Sequence, residues 1–399
     1  MTTLYVTEQR ALVKKDGETL AVHIPADAGK GADARTVRVP LIKIDQVVIY
    51  GDATLTSPAL AALLEQRVEV CFLSAYGRYR GRLSPAFSKN APLRIEQHRA
   101  YGDPVRALAL ARQFVAGKLG NMRTLLLRSN RKLELNEIVR AAEMLKRMGR
   151  RALELGAVSA IDARDDSDLP GLSDDVPDAP SAPDATENSP ASAFTPVGSA
   201  PDGGSLSAFT ETANGPQEQQ TLLGLEGMGS AAYFGVFGQL LKQELGFRRR
   251  TRRPPTDPVN ALLSYGYVLL MHQVESAINV VGLDPFVGYL HAAKYGKPAL
   301  ALDLMEEFRP VIVDSVVLSL VNNRILTAES FEAELGAYRL TERGRRVFLE
   351  KFEERLSTEV EHPIFGYRAT YKRCLELQVR LLAKRLTGEV PAYVPFLAR

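Results

Sequence analysis

Cysteine is scarce in this chain, with only Cys71 and Cys374 among 399 residues, one inside an apolar strand-like pattern and one in a basic helix-like pattern. No metal-type spacing joins them, so neither a disulfide framework nor a thiolate zinc site is expected. Long apolar runs are missing too: no stretch of eighteen apolar residues occurs, which argues against a membrane span. The opening MTTLYVTEQR lacks the basic-then-apolar order of a signal peptide, and a cytoplasmic location is expected. Basic residues almost vanish from 162–218, where twelve acids face a single base, Arg164. The rest of the chain then holds 49 bases against 35 acids, a surplus of fourteen that the formal net charge of +3 conceals. Such a surplus favours a polyanionic partner, nucleic acid above all, over a neutral metabolite.

Length and a 45% hydrophobic content allow two domains and a sizeable core. Short β-branched runs open the chain at 4–6, 11–13, 20–24, 36–40 and 46–50, with Asp16-Gly17 as a hairpin turn between two of them. Ser57-Pro58 starts one helix, and VEVCFL at 68–73 returns to a strand. Beyond Pro92 apolar residues recur at three- and four-residue steps over 92–101, 104–129 and 133–156, the helical period. The predicted fold class is α+β with two domains: a small β-rich domain over 1–88, then a larger all-helical domain in two parts, 89–160 and 221–399. Between the parts, 161–220 is rich in Pro, Ala, Ser and Asp, too polar to offset its ordering entropy, and is expected to be disordered.

The chemistry concentrates in DPFVGYLHAAKYGKPALALDLMEEFRP, residues 284–310. Asp284-Pro285 predicts a helix start and Gly296 its stop, which puts His291 mid-helix. On the next helix Asp303, Glu306 and Glu307 recur at three- and four-residue spacing, predicting that they share a side. Their apolar surroundings make an exposed face unsuitable, and buried carboxylates need a partner such as a divalent metal. Upstream, LEGMGSAAYFG at 225–235 sets Glu226 among Gly227, Gly229, Ser230, Ala231 and Ala232, small residues that allow close helix approach. A glutamate merely pairing with a nearby arginine is the plainer alternative. The run FRRRTRRPP at 247–255 reads as a connection between helices with a phosphate-binding or simply solvated surface, and Thr256, Asp257 and Pro258 start the helix after it. Tyr265 and Tyr267 in that helix read as core or as aromatic contacts. His23, His98, His272 and His362 lack the motif context of His291 and read as structural or surface residues.

Four blocks in order, LEGMGSAAYF, DPVNALLSYGY, LDPFVGYLH and LALDLMEEFRP, resemble the CRISPR-associated endonuclease family that serves as the integrase of spacer acquisition. The resemblance spans the chain except the acidic insertion, which is longer than that family leads one to expect. It implies metal ligands at Glu226, His291 and Glu306, with Asp303 as an acidic helper at the catalytic centre; Asp303 or Glu307 as direct ligands remain alternatives. Two carboxylates and an imidazole suit Mg²⁺ or Mn²⁺ better than zinc.

The implied reaction is metal-dependent attack of a DNA 3′-hydroxyl on a phosphodiester of the repeat, or hydrolysis when water attacks. The implied partners are double-stranded DNA (protospacer fragments and repeat), a second copy through the β-rich domain, and a small dimeric CRISPR-associated adaptation protein in a heterohexamer-type complex. Arg248, Arg249, Arg250, Arg252 and Arg253 are the first candidates for the DNA surface; Arg343, Arg345 and Arg346 are the second. A structure-selective repair nuclease, a non-catalytic DNA-bridging scaffold and an acid-pair enzyme acting on sugars are the other classes. The basic surplus has no role in the last.

Overall fold

The computed structural model describes residues 2–26, 33–86, 90–156 and 216–398. Most of the segment expected to be disordered, 161–215, lies outside the described residues. Its last five residues do not behave as expected: the helix that carries Glu226 begins at Pro216.

Among the described residues the first lobe holds eight strands: β1 (Thr2–Val6), β2 (Leu12–Asp16), β3 (Thr19–Ile24), β4 (Arg35–Pro40), β5 (Ile44–Tyr50), β6 (Thr54–Leu55), β7 (Glu69–Leu73) and β8 (Tyr79–Leu83). They form two sheets of four, ordered β1-β5-β7-β8 and β4-β3-β2-β6. Asp16-Gly17 turns the β2–β3 hairpin as expected, with Gly17 at a φ of 57° that suits glycine. The short β6 and the arginine-bearing β8 are not visible as apolar runs; β8 lies at a sheet edge, where charge blunts unwanted pairing. Helix α1 (Ser57–Glu65) buries Ala59, Ala62 and Leu63 against the lobe's core.

Successive side chains of β5 point to opposite faces. Val47 and Ile49 therefore pack into the first lobe with Val13, Leu20 and Leu63, while Val48 and Tyr50 enter the core of the helical part. One strand serves two cores, and the lobes share a packed boundary.

The second lobe contains α2 (Ala91–Gly102), α3 (Pro104–Asn130), α4 (Asn136–Glu154), α5 (Pro216–Phe237), α6 (Pro258–Val281), α7 (Ala299–Phe308), α8 (Ser315–Asn322), α9 (Glu342–Ser357) and α10 (Tyr371–Leu386). Two of the longest begin alike. Asp103 accepts hydrogen bonds from the Val105 and Arg106 amides ahead of α3, and Asp257 accepts one of 2.8 Å from Asn260 N ahead of α6, each with proline in the first turn. Gly282, with φ 98°, closes α6. Helix α3 is the spine, packed by α4, α5 and α7.

The lobe is not all-helical. Hairpins β9 (Phe331–Glu334) with β10 (Ala337–Leu340), and β11 (Glu359–Glu361) with β12 (Arg368–Thr370), interrupt it. Strands of three or four residues are too short to interrupt a helical period, and Leu335-Gly336, both at positive φ, supplies the first hairpin's turn. Between α7 and α8 the chain runs through a wider π-helical turn, Arg309–Asp314. Pro310 has no N–H to donate to a regular helical rung, and the wide turn absorbs that loss without ending the helix. No described helix is long and apolar enough to cross a membrane.

Candidate functional site

Helix α7 brings its three acids into the interior, but not onto one side. Asp303, Glu306 and Glu307 are 0%, 3% and 0% exposed. Neighbouring residues on a helix are about 100° apart, and Glu306 and Glu307 accordingly leave in different directions. Glu307 faces the C-terminal tail, accepting hydrogen bonds from Tyr393 Oη (2.6 Å), Phe396 N (2.7 Å) and Gln378 Nε2 (3.1 Å). It pairs neither with Arg309 nor with solvent, as an exposed acid would. Burial pushes its pKa up to about 8, against the pull of those three hydrogen bonds.

Asp303 faces the segment that carries His291, and that segment is not a helix. Residues 284–298 run as turns and loop. Asp284 caps Phe286 N within a tight turn (2.8 Å), and the amides that a helix would use are taken instead by a side chain. Asp303 accepts hydrogen bonds from Tyr289 N (2.6 Å), Leu290 N (2.9 Å) and His291 N (3.0 Å), and its Oδ1 also lies 2.8 Å from His291 Nδ1. Gly288 permits this approach, since a Cβ there would stand 2.7 Å from Asp303 Oδ2. Gln97 of α2 donates to the Asp284 and Val287 carbonyls, and Gln219 of α5 to those of Tyr289 and Leu290. The loop is thus pinned from three helices. A carboxylate on Nδ1 fixes the ring and presents Nε2 as a ligand, and no described residue hydrogen-bonds His291 Nε2.

Glu306 and Glu226 meet at a residue that sequence spacing gave no reason to single out. Lys118 of α3, 2% exposed, contacts Glu226 Oε1 and lies 2.8 Å from Glu306 Oε2. Ser230, one turn along α5, donates to Glu226 Oε1 (3.0 Å), and Arg309 lies 3.2 Å from Glu306 Oε1. Burial would raise the Glu306 pKa, but Arg309, Lys118 and His291 outweigh it and hold the carboxyl at about 2. Glu306 is ionised at any working pH. Two glycines make the meeting possible. A Cβ on Gly117 would stand 2.6 Å from Pro395 and 2.9 Å from Glu307 Cγ, and one on Gly229 would stand 2.3 Å from Leu119. The expected close helix approach therefore falls at Gly229, whereas Gly224, Gly227 and Gly235 have open space before them.

A further buried acid braces the same helices. Asp314, in the π-helical turn, accepts from Tyr233 Oη of α5 (2.8 Å) and Tyr267 Oη of α6 (2.6 Å), and Arg309 lies over the Tyr267 ring at 4.7 Å. Burial raises the Asp314 pKa to about 6 in spite of those bonds. Tyr265 hydrogen-bonds Tyr50 across the lobe boundary (2.7 Å), so both tyrosines are structural.

Among the described residues no three histidine, cysteine, aspartate or glutamate side chains stand close enough to hold a metal ion as they lie. In kind, the residues fit a hard divalent ion. Glu226 and Glu306 supply carboxylates and His291 an imidazole nitrogen, and a cation, Lys118 Nζ, already sits 2.8 Å from the buried Glu306 Oε2. Asp303 spends its oxygens on the loop and is a support to His291. Lys118 fills the space between the two glutamates.

Of the eight arginines, Arg248, Arg249, Arg252, Arg253, Arg343 and Arg346 are exposed, and Arg346 is tied to other side chains. Arg250 is turned inward, donating to Asn260 Oδ1 (2.8 Å) and Ser264 Oγ (3.0 Å), and burial lowers its pKa. Arg345 donates to the Ala75 carbonyl of the first lobe, and Arg346 pairs with Glu8 (2.8 Å) and Glu342 (2.7 Å). Run composition alone does not reveal that these three hold the chain to itself.

Residues 4–164 and 204–354 match the family described as CRISPR associated protein Cas1. The chain belongs to the Cas1 family. It is 37% identical to the CRISPR-associated endonuclease Cas1 3 of Thermus thermophilus across 99% of this chain and 97% of that one. Its fold resembles a casposase bound to integration product, with a TM-score of 0.73 at 23% identity, over 99% and 93% of the two chains. It also resembles a chain of a Cas6-RT-Cas1–Cas2 complex, TM-score 0.68 at 22% identity, covering all of this chain and 36% of that longer one. Membership of the Cas1 family agrees with the four motif blocks, and three of them carry Glu226, His291 and Glu306.

Proposed function

We propose that this Cas1-family chain is a divalent-metal-dependent DNA endonuclease and integrase of CRISPR adaptation, joining short DNA fragments to the array. The observation that carries the proposal is the convergence of Glu226 and Glu306, from helices distant in sequence, on one buried cationic position beside an imidazole whose Nδ1 is already fixed. Glu226, Glu306 and His291 Nε2 would hold Mg²⁺ or Mn²⁺, which polarises a phosphodiester oxygen and lowers the pKa of an attacking 3′-hydroxyl or water.

The chain's own residues supply the rest. Glu306, kept ionised by Arg309 and Lys118, maintains negative charge where a cation must sit. Asp303 holds the His291 ring and the loop behind it, so that Nε2 is presented without a search among rotamers. The exposed arginines 248, 249, 252, 253 and 343 take DNA phosphates, fixing position without reading sequence. Family membership supports a second copy and a Cas2-type partner in the working assembly, with protospacer fragments and repeat DNA as its substrates.

The test is integration of a short duplex with free 3′-hydroxyl ends into a supercoiled plasmid bearing a repeat, with the small partner protein and with Mn²⁺, Mg²⁺ or chelator. Joined product should require metal, and Glu226→Ala or His291→Ala should reduce it by roughly 10²-fold or more, the scale of a lost reaction-centre group. Nicking without joining would favour a structure-selective repair nuclease. Equal joining by all three proteins would sink the site.

A further inference from the structure

We propose that Lys118 is a resident cation that keeps the metal position closed and is displaced when a divalent ion enters, so that loading is an exchange of one cation for another. The inference rests on the metal-site reading above and adds to it a residue and a step.

An ammonium at 2% exposure is costly unless it is paired. Its ion pairs are with Glu226 and Glu306, the two acids assigned to the metal. Nζ contacts Glu226 Oε1, which also receives Ser230 Oγ, and lies 2.8 Å from Glu306 Oε2, so the ammonium occupies the space between the oxygens that a divalent ion would use.

The position is also enforced by packing. Gly117 lets α3 approach Glu307 and Pro395, and Gly229 lets α5 settle on Leu119, so close helix contacts flank Lys118 on either side along α3. With Lys118 in place no three ligating side chains stand together among the described residues. Moving its Nζ aside would free one oxygen of each glutamate. A flexible four-carbon stem permits that movement, which a guanidinium fork would resist. The lysine therefore offsets the repulsion between the buried Glu306 and the half-buried Glu226 in the metal-free protein, and its charge opposes an incoming cation until exchange occurs.

The test uses full-length protein and Mn²⁺ alone, followed by the paramagnetic resonance signal of free Mn²⁺ and by thermal unfolding with and without the ion. Lys118→Met should lower the melting temperature of the metal-free protein, bind Mn²⁺ roughly tenfold tighter or more than wild type, and show the larger metal-induced rise. Lys118→Gln, of similar length and without charge, should follow it. In wild type, acetylation of Lys118 read by mass spectrometry should increase several-fold when Mn²⁺ is added. Unchanged affinity in both variants, or unchanged acetylation, would overturn the exchange. His291→Ala separates the two readings: if it abolishes Mn²⁺ binding while the lysine variants bind as wild type does, the metal site stands and the exchange falls. Should His291→Ala and Glu226→Ala leave binding intact, the site itself falls, and the exchange with it.

Discussion

His291 and Asp303 show how much of the site depends on one carboxylate. Asp303 accepts three backbone amides and faces an imidazole nitrogen, so its two oxygens determine both the path of the loop and the orientation of the ring. Asparagine in its place keeps the shape but offers one oxygen instead of two, and turns an NH₂ toward amide donors. Asp303→Asn should cut integration by roughly 10–100-fold, the usual cost of losing a ligand's outer partner. Mn²⁺ affinity should fall with it while the fold persists; full activity would show that His291 needs no such support. The loop's conformation was not legible because Asp284-Pro285 is a valid helix start in isolation. The competing acceptor for its amides lies twelve to fourteen residues away on another element.

At the scale of elements, α7 works because adjacent acids point in different directions. Glu306 serves the cationic position, and Glu307 fastens the C-terminal tail through Tyr393, Phe396 and Gln378. Since burial raises the Glu307 pKa to about 8, the folded protein holds this proton more tightly than the unfolded chain does. Its contribution to stability is complete below about pH 4.5 and is lost as pH rises through about 8. Glu307→Gln should flatten the dependence of unfolding free energy on pH across that window, and hydrogen exchange of the tail should lose its acceleration at high pH. A slope unchanged by the substitution would place the proton elsewhere. Periodicity located α7 correctly, but it groups residues by face and cannot distinguish neighbours 100° apart when both are buried.

For the molecule as a whole, the boundary between lobes is polar as well as packed. Arg82 of β8 bridges Glu69 at 3.0 Å and contacts Glu275 of α6, Gln273 donates to Gln46 at 2.7 Å, and Tyr50 meets Tyr265. The Arg82 side chain is only 12% exposed, and the carboxylates around it less so. Arg82→Met would leave both acids buried without their cation, which should cost about 3–5 kcal/mol in urea unfolding. Adding Glu275→Gln to that variant should recover part of the loss, a coupling that a double-mutant cycle measures. Strictly additive effects would mean that the Arg82–Glu275 pair does not couple the two lobes.

The sequence by itself determined the order of the lobes, the Thr256-Asp257-Pro258 start of α6 and the Asp16-Gly17 hairpin, because these depend on contacts within a few residues. Four ordered blocks were enough to reach the family. Only the tertiary structure decided that Lys118 stands between Glu226 and Glu306, that Asp303 supports His291, that Glu307 belongs to the tail, and that Arg250 and Arg345 are committed inward. Those pairings join residues up to 270 positions apart, and they are set by where glycines allow backbones to meet and by the cost of burying a charge without a partner. Neither condition has a signature in local spacing.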